Sequence, residues 1–213
     1  MNKTQRKLIK ATEHLLLSDG LTRVTTREIA REAGVTEGVI YHHFKDKAEL
    51  LHAVVQEKLG GFNEVLDSLP LQVGQRTVQE NLEHMLQAAY AFQFKVIPVI
   101  SSLFADHQLL NRTREILNER QISPKHSIDA LAAYLQAEQL LGRVSAETDP
   151  RTAAKILLGS SFHAAMLDQF FARDVNPAKL HQRIQETVST LLTGLGPRIE
   201  ENSPVQQVRN VNL

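Results

Sequence analysis

The 213-residue sequence contains no cysteine, and this absence excludes both a disulfide framework and a metal site built on thiolates. It also lacks any run of eighteen uncharged apolar residues, so we expect no membrane-spanning helix and no membrane partner. The basic start of the chain is interrupted by Glu13 and His14, which is typical of an amphipathic helix and not of a signal peptide. Together these absences predict a cytoplasmic protein.

An excess of charge of one sign is also lacking, because 24 Lys and Arg residues balance 24 Asp and Glu residues. The charges are unevenly distributed: residues 1–47 carry a balance of +3, and residues 48–213 carry a balance of −3. A mildly basic start on a mildly acidic remainder fits a DNA-facing module on a body that avoids phosphates. That difference alone does not identify DNA as the partner.

Apolar residues recur with the period of an α-helix along the whole chain, without a convincing alternating pattern of strands. The pattern predicts an all-α protein of about nine helices. We expect one unit of three helices at residues 1–47 and a second helical unit at residues 48–196. The tail at 197–213 has no packing pattern and is expected to be disordered. We also expect Pro98 to kink or break the helix that contains it.

Residues 25–44, TTREIAREAGVTEGVIYHHF, predict two short helices joined by a tight turn. Thr25 and Glu28 have the spacing of a capping box at a helix start, and Gly34 tolerates the positive φ that a tight turn requires. Gly38 falls in the first turn of the second helix, where a missing side chain would allow a close approach to DNA. This is the helix-turn-helix arrangement, whose second helix lies in the major groove.

Extended through Leu50, this segment resembles the DNA-binding domain of the tetracycline-repressor (TetR) family. The matching features are Thr25-Thr26-Arg27-Glu28-Ile29-Ala30, Ala33-Gly34-Val35, Tyr41-x-His43-Phe44 and Lys45-x-Lys47-x-x-Leu50. The resemblance is specific over about residues 4–55 and only architectural beyond them. It implies a DNA-binding domain at residues 1–47 and a helical regulatory and dimerisation domain at residues 48–196. It also implies a dimer joined through the last two long helices, a small-molecule cavity in the body, and release of DNA when that cavity fills.

The resemblance also implies which side chains contact double-stranded DNA. The residues expected at phosphates are Thr26, Tyr41, His42 and Lys47. The residues expected at base edges are Arg27, Glu37, Gly38 and Val39. The expected DNA-binding surface is completed by Thr25, Thr36, His43 and Lys45. A guanidinium can bond guanine bidentately, and a carboxylate can accept a hydrogen bond from the amino group of cytosine.

Three of these residues have a purely structural alternative. Arg27 could be a solvated side chain beside a cap, and Tyr41 could be partly buried in the core. Glu37 could be an acid that stabilises the first turn of a helix.

Two interpretations stay open for the aromatic and methionine side chains of the body: ordinary core, or the wall of an apolar ligand pocket. The residues predicted to line such a pocket are His84, Met85, Tyr90, Phe94, Phe104, Tyr134, Phe162, His163 and Met166. The polar groups expected to orient the ligand are His84, Tyr90, Tyr134 and His163. The predicted effector is an apolar or aromatic small molecule.

The segment 151–172 is apolar on more than one face and must be covered on both sides. With the segment 177–193 it predicts the four-helix interface of a homodimer. Because a two-fold dimer reads two half-sites, we expect a pseudo-palindromic operator.

The sequence predicts neither an enzyme nor a cofactor or metal site. Nucleophile-elbow, phosphate-loop and zincin patterns are absent, and Glu80 with His84 would supply only two metal ligands without an identifiable third. The favoured function is therefore a ligand-responsive transcriptional repressor. The alternative is a nucleoid or cell-division factor that binds DNA and uses its body to bind other proteins.

Overall fold

The computed structural model describes residues 1–18, 24–123 and 125–194, and the regular structure of this part is entirely α-helical. The predicted all-α class is therefore confirmed. The helices are α1 (Lys3–Ser18), α2 (Thr26–Ala33), α3 (Glu37–His43), α4 (Lys47–Gln72), α5 (Val78–Ala105), α6 (His107–Glu119), α7 (His126–Leu140), α8 (Pro150–Phe170) and α9 (Pro177–Thr193). The predicted tail at 197–213 lies outside the described residues.

Local capping explains where helices α2 to α4 begin and where α2 ends. The Thr25 hydroxyl accepts the amide of Glu28 at 3.2 Å, and Gly34 ends α2 at a φ of +65°. Asp46 caps α4 by accepting the amide of Glu49 at 2.8 Å. Thr36 is the N-cap residue of α3, although its hydroxyl makes no capping bond.

The reader, α1 to α3, shares its hydrophobic core with neighbouring helices. Leu8, Ile29 and Ile40 are fully buried in a cluster that continues into α4 and includes Ile116 of α6. The α4 residues in that cluster are Ala48, Leu50, Leu51 and Val54. The first turns of α4 therefore pack in the reader, beyond the predicted boundary at residue 47.

The body is organised around α5, which packs against α4, α8 and α9. By length and composition, α5 is the one described helix that could cross a membrane, but its buried Leu82, Met85 and Leu86 belong to the second hydrophobic cluster. Of the predicted kink or break at Pro98, the break is wrong, because α5 continues to Ala105, and the kink stays a prediction. The neighbouring Val96, Ile97 and Val99 are buried, and their packing holds the helix where proline removes one hydrogen-bond donor.

Candidate functional site

The outward surface of the reader carries most of the residues predicted to contact DNA. Those exposed are Thr25, Arg27, Thr36, Glu37, Gly38, Tyr41, His42 and Lys45, and those half-buried are Thr26, Val39, His43 and Lys47. Tyr41 is 56% exposed, while Ile40 beside it is fully buried. Tyr41 is thus mainly exposed, and α3 presents one face to the core and the other to solvent.

Two of these residues already contact each other. The Thr26 hydroxyl, at the start of α2, donates a hydrogen bond to Glu37 Oε1, in the first turn of α3. The bond joins the two helices of the helix-turn-helix motif. It also occupies a hydroxyl predicted to reach a phosphate and a carboxylate predicted to reach a base.

Gly38 has no internal reason to be glycine. A Cβ at this position would meet only Thr36 Oγ1, at 4.0 Å, and the residue lies in ordinary helical backbone. Gly34 differs because its φ is positive. Any other residue at this position would be strained, even with open space around its side chain. The missing side chain of Gly38 therefore matters only for what approaches α3 from outside.

A joint of ion pairs connects the reader to α6. Arg112 Nε donates to Asp46 Oδ2 at 2.7 Å, and Arg120 pairs with Glu49. Partial burial raises the pKa of Asp46, but Arg112 and the Glu49 amide outweigh it and hold that pKa below its ordinary value. The pairs join α6 to the first turn of α4, so a movement of either helix is transmitted to the other.

His52 is buried beside this joint. Desolvation and the nearby charge of Arg120 lower the pKa of His52, and the carboxylate of Glu49 opposes them in part. The packed joint therefore favours the neutral imidazole.

A cavity of about 740 Å3 opens at the end of the body farthest along α4 from the reader. It is bounded by Gly74 after α4, the start of α5, the connection between α7 and α8, and the end of α9. Its apolar lining consists of Val78, Leu82, Leu135, Val144, Ala153, Leu191 and Leu192. This volume lies within the usual range of a small-molecule site, about 300–1,000 Å3.

None of the residues predicted to line a ligand pocket is among the described residues that line this cavity. Met85, Tyr90 and Tyr134 are buried and Phe94 is half-buried, whereas His84, Phe104, Phe162, His163 and Met166 are exposed. Tyr90 borders a second cavity of only about 30 Å3 between α5, α8 and α9.

Both buried tyrosines use their hydroxyl groups internally. Tyr90 donates to Asp168 Oδ2 at 2.7 Å, and Arg183 of α9 donates to the same carboxylate at 2.6 Å. Tyr134 accepts from Asn81 Nδ2 at 3.0 Å. Burial raises the pKa of each tyrosine to about 12, with the neighbouring carboxylate adding to the effect. The Tyr90 hydroxyl thus joins α5 to α8, and the Tyr134 hydroxyl joins α7 to α5.

The sequence reasoning missed the arginines at the cavity and at the joint. Arg76 and Arg143 line the cavity, and Arg112 and Arg120 hold the start of α4. Such pairings depend on contacts between residues more than sixty positions apart, and the local sequence pattern of isolated arginines does not reveal them. Within the described residues, no group of three His, Asp or Glu side chains is arranged to hold a metal ion.

These features define a helix-turn-helix DNA-binding protein with a helical body. Residues 8–54 match the family described as bacterial regulatory proteins, tetR family. Among relatives, the chain is 28% identical over 169 residues to the transcriptional repressor BepR of Brucella suis, covering 73% of this chain and 75% of the relative. It is 25% identical over 163 residues to the nucleoid occlusion factor SlmA of Vibrio vulnificus, covering 66% and 79%.

The fold is also similar to a solved structure, the transcriptional regulator FadR from Bacillus subtilis in complex with stearoyl-CoA. The TM-score is 0.67 with 19% identity, and the match covers 90% of this chain and 99% of that one. The match over residues 8–54 and the named relatives identify the chain as a DNA-binding transcriptional regulator whose DNA-binding domain is of the tetR type.

Proposed function

We propose that this regulator is a homodimeric repressor that releases its operator when a small molecule fills the body. The observation that carries the ligand-responsive part is the cavity of about 740 Å3 with an apolar wall. The structural neighbour FadR, solved in complex with stearoyl-CoA, supports a ligand in a body of this shape. The proposal gives the protein no catalytic step and places it in the cytoplasm with its DNA.

The helix α4 provides a path from the cavity to the reader. Gly74, in the cavity wall, follows the end of α4, whereas Leu50 and Leu51 near its start pack in the reader core. A 26-residue helix is about 39 Å long, since each residue adds about 1.5 Å. A ligand that displaces the end of α4 near the cavity can therefore tilt the reader. The ion pairs with α6 hold the other end of α4, so the helix would pivot about them.

The switch requires a ligand that binds the DNA-released arrangement more tightly than the DNA-competent one. Equal affinity for both arrangements shifts nothing, however tight the binding. Coupling between two such sites is usually about 1–3 kcal/mol, which corresponds to a change of about 5- to 150-fold in operator affinity. The reading helices of a dimer must also match half-sites about 34–36 Å apart, or a multiple of that distance. A small tilt of α4 in each subunit would disturb this match.

Exposed apolar side chains on α8 support a dimer. Ile156, Phe162, Met166 and Phe170 are 52%, 37%, 41% and 78% exposed, while Leu157 and Ala165 of the same helix are buried against the body. One face of α8 thus packs within the chain and another is left for a partner. We infer that a second copy covers it, with α8 and α9 of each subunit forming a four-helix contact.

The DNA contacts belong to the same proposal. Arg27, Glu37, Gly38 and Val39 would read base edges, while Thr26, Tyr41, His42 and Lys47 would hold phosphates, as the family resemblance implies. The exposure of Arg27 and Tyr41 supports their part in this assignment. Base contacts would set the sequence preference, and phosphate contacts would set the position on the duplex.

The experiment begins by selecting the preferred duplex from a random double-stranded library. A panel of apolar and aromatic compounds is then tested for thermal stabilisation of the protein and for release of labelled operator, with a scrambled duplex as the control. At least one stabilising compound should weaken operator binding within the range given above. If every stabilising compound leaves operator affinity unchanged, the protein binds DNA without this switch.

The similarity to SlmA supports the alternative of a nucleoid occlusion factor, whose body would bind a protein partner. The cavity argues against it, since a surface for protein partners does not require an internal apolar space. Genome-wide mapping of bound sites separates the two functions. A repressor should occupy a few promoters, whereas a nucleoid factor should occupy many sites spread along the chromosome.

A further inference from the structure

The cavity at the far end of the body has a wall and a rim of different chemistry. The wall is apolar, with Leu82 of α5, Leu135 of α7 and Ala153 of α8 among its residues. The rim includes Arg76 and Arg143. Among the residues that the structure describes, two guanidinium groups and no Asp or Glu line this space, so its polar edge is cationic.

Arg143 is fixed in orientation by three contacts. Its Nη2 donates to the carbonyl oxygens of Gln75 and Arg76, and its Nε lies 3.4 Å from Glu138 Oε2. Within the described residues, no hydrogen bond or ion pair occupies its Nη1. A guanidinium held in this way presents its remaining N–H groups without a further loss of side-chain entropy.

Arg76 adopts a backbone conformation that is unusual for its residue type. Its φ is +48°, in the left-handed region where glycine and asparagine are at lower cost. The bond from Arg143 to its carbonyl holds the backbone there. Because the side chain is exposed, it does not serve the hydrophobic core. Strained residues of this kind concentrate at functional sites, where the surrounding structure holds them in place.

The carboxylates near the rim have partners of their own. Glu80 accepts the amide and the hydroxyl of Thr77 at 2.9 and 2.8 Å, and Glu83 accepts from Gln79 at 2.8 Å. Glu80 lies close enough to Arg76 for the two charges to interact. Glu138 is fully buried and accepts the amide of Gly74 at 3.2 Å. These acids have partners within the chain, and none of them is among the described residues that line the cavity.

We propose that this cavity binds an amphipathic anion: a molecule with an apolar chain or ring system and one carboxylate or phosphate head. The chain lies against the leucine and valine wall, and the head meets Arg76 and the free edge of Arg143. Guanidinium groups bind carboxylates and phosphates alike through paired, charge-assisted hydrogen bonds. That such a ligand controls DNA binding rests on the proposed function, whereas the binding itself does not.

The first test compares four compounds that share a ten-carbon apolar chain and differ in their head group. Calorimetry of the full-length protein without DNA uses decanoate, decyl phosphate, decan-1-ol and decyltrimethylammonium, all below their micellar concentrations. Decanoate, decyl phosphate or both should bind at least about tenfold more tightly than decan-1-ol, because a hydrogen bond to a charged group stabilises by about 1.5–3 kcal/mol. The cation should bind most weakly. Equal affinity for decanoate, decyl phosphate and decan-1-ol would overturn the proposal, as would the absence of binding by both anions.

The second test locates the site. Arg76→Gln keeps the strained backbone but removes the charge, and it should weaken binding of the anion by about three- to tenfold, a reduced value for an exposed group. Binding of decan-1-ol should not change. Arg76→Lys should retain most of the affinity, and Arg114→Gln, an exposed arginine of α6 distant in the sequence, is the matched control. An Arg76→Gln variant that binds the anion as the parent protein does would refute the assigned rim.

A gel-shift titration with the anion that binds then separates this inference from the proposed function. If the anion binds at Arg76 but operator affinity stays constant, the site is established and ligand control through it fails. If no anion binds but a neutral compound releases DNA, ligand control stands and the anion site is wrong.

Discussion

At the scale of single residues, the contact between Thr26 and Glu37 constrains how the reader can work. The Thr26 hydroxyl has one proton, and here it is donated to Glu37. It can be donated to a phosphate only if this bond breaks. The carboxylate has further acceptor positions, so Glu37 can accept from a base whether or not Thr26 is bound to it. Only the phosphate contact of Thr26 therefore competes with the bond between the two helices.

Replacing Arg27 by alanine should weaken operator binding and leave the fold intact, because the side chain is exposed at the start of α2. If Arg27 reads a guanine, discrimination at one base pair should fall by about 1–3 kcal/mol. Gel-shift titrations against the operator and its single-base variants measure both effects. Arg31→Ala, an exposed arginine in the last turn of α2, is the control. Equal weakening on every sequence would mean that Arg27 contacts only phosphate, and unchanged affinity would remove it from the reader.

Gly38→Ala should separate folding from DNA binding. Since nothing in the chain crowds a Cβ at this position, alanine should raise the free energy of unfolding by about 0.5–1 kcal/mol through its better helix propensity. Operator affinity should fall, because the added methyl lies on the face of α3 that approaches the groove. Urea denaturation and gel shift are measured on the same preparation. A variant that is more stable and binds DNA equally well would show that close approach at residue 38 is not required.

At the scale of helices, local chemistry made the boundaries predictable. Thr25 and Gly34 act within a few residues of themselves, and each begins or ends a helix where the sequence indicates. Pro98 shows the limit of such reasoning, because the packing of distant residues around it keeps α5 continuous. The cavity escaped prediction for the same reason. Its lining comes from five separate segments, and the aromatic residues chosen from composition lie elsewhere.

The joint between α4 and α6 should make stability depend on pH through His52. The pKa of His52 in the folded protein is below its ordinary value of about 6.5, so the unfolded chain binds the proton more readily. Stability is therefore complete above about pH 6.5 and decreases as pH falls through that value towards the lower folded pKa. Asp46 and Asp168, whose pKa values are lowered from 3.8, lose their contribution only in more acidic solution.

Urea denaturation between pH 7.5 and 5.0 measures this dependence. His52→Gln should flatten the decrease, whereas His84→Gln, at an exposed histidine of α5, should leave it unchanged. An identical pH dependence in the His52→Gln variant would show that the imidazole does not couple protonation to folding.

At the scale of the whole molecule, the proposed interface on α8 can be tested by introducing one charged side chain. Phe162→Glu places a carboxylate on the exposed apolar face, and it should convert the dimer to monomers because an unpaired charge is costly to bury. An interface of this kind should bury on the order of 1,500–3,000 Å2 in total. Leu140→Glu, at the 85% exposed end of α7, should remain a dimer. Sedimentation velocity at micromolar concentration decides, and a monomeric parent protein would contradict the interface altogether.

The shared core at the start of α4 has a consequence for chimeric regulators, in which the reader of one protein is grafted onto the body of another. If such a graft is cut at residue 47, Leu50, Leu51 and Val54 of the recipient body pack against the α1 of the donor protein. Ile116 of α6 then packs against a hydrophobic cluster that the donor supplies in part. The unit that can be exchanged therefore reaches at least to Val54 and needs a matching surface on α6. A library of such grafts should yield soluble, operator-binding proteins mainly where the recipient contributes leucine- or isoleucine-sized residues at the positions of Leu109 and Ile116.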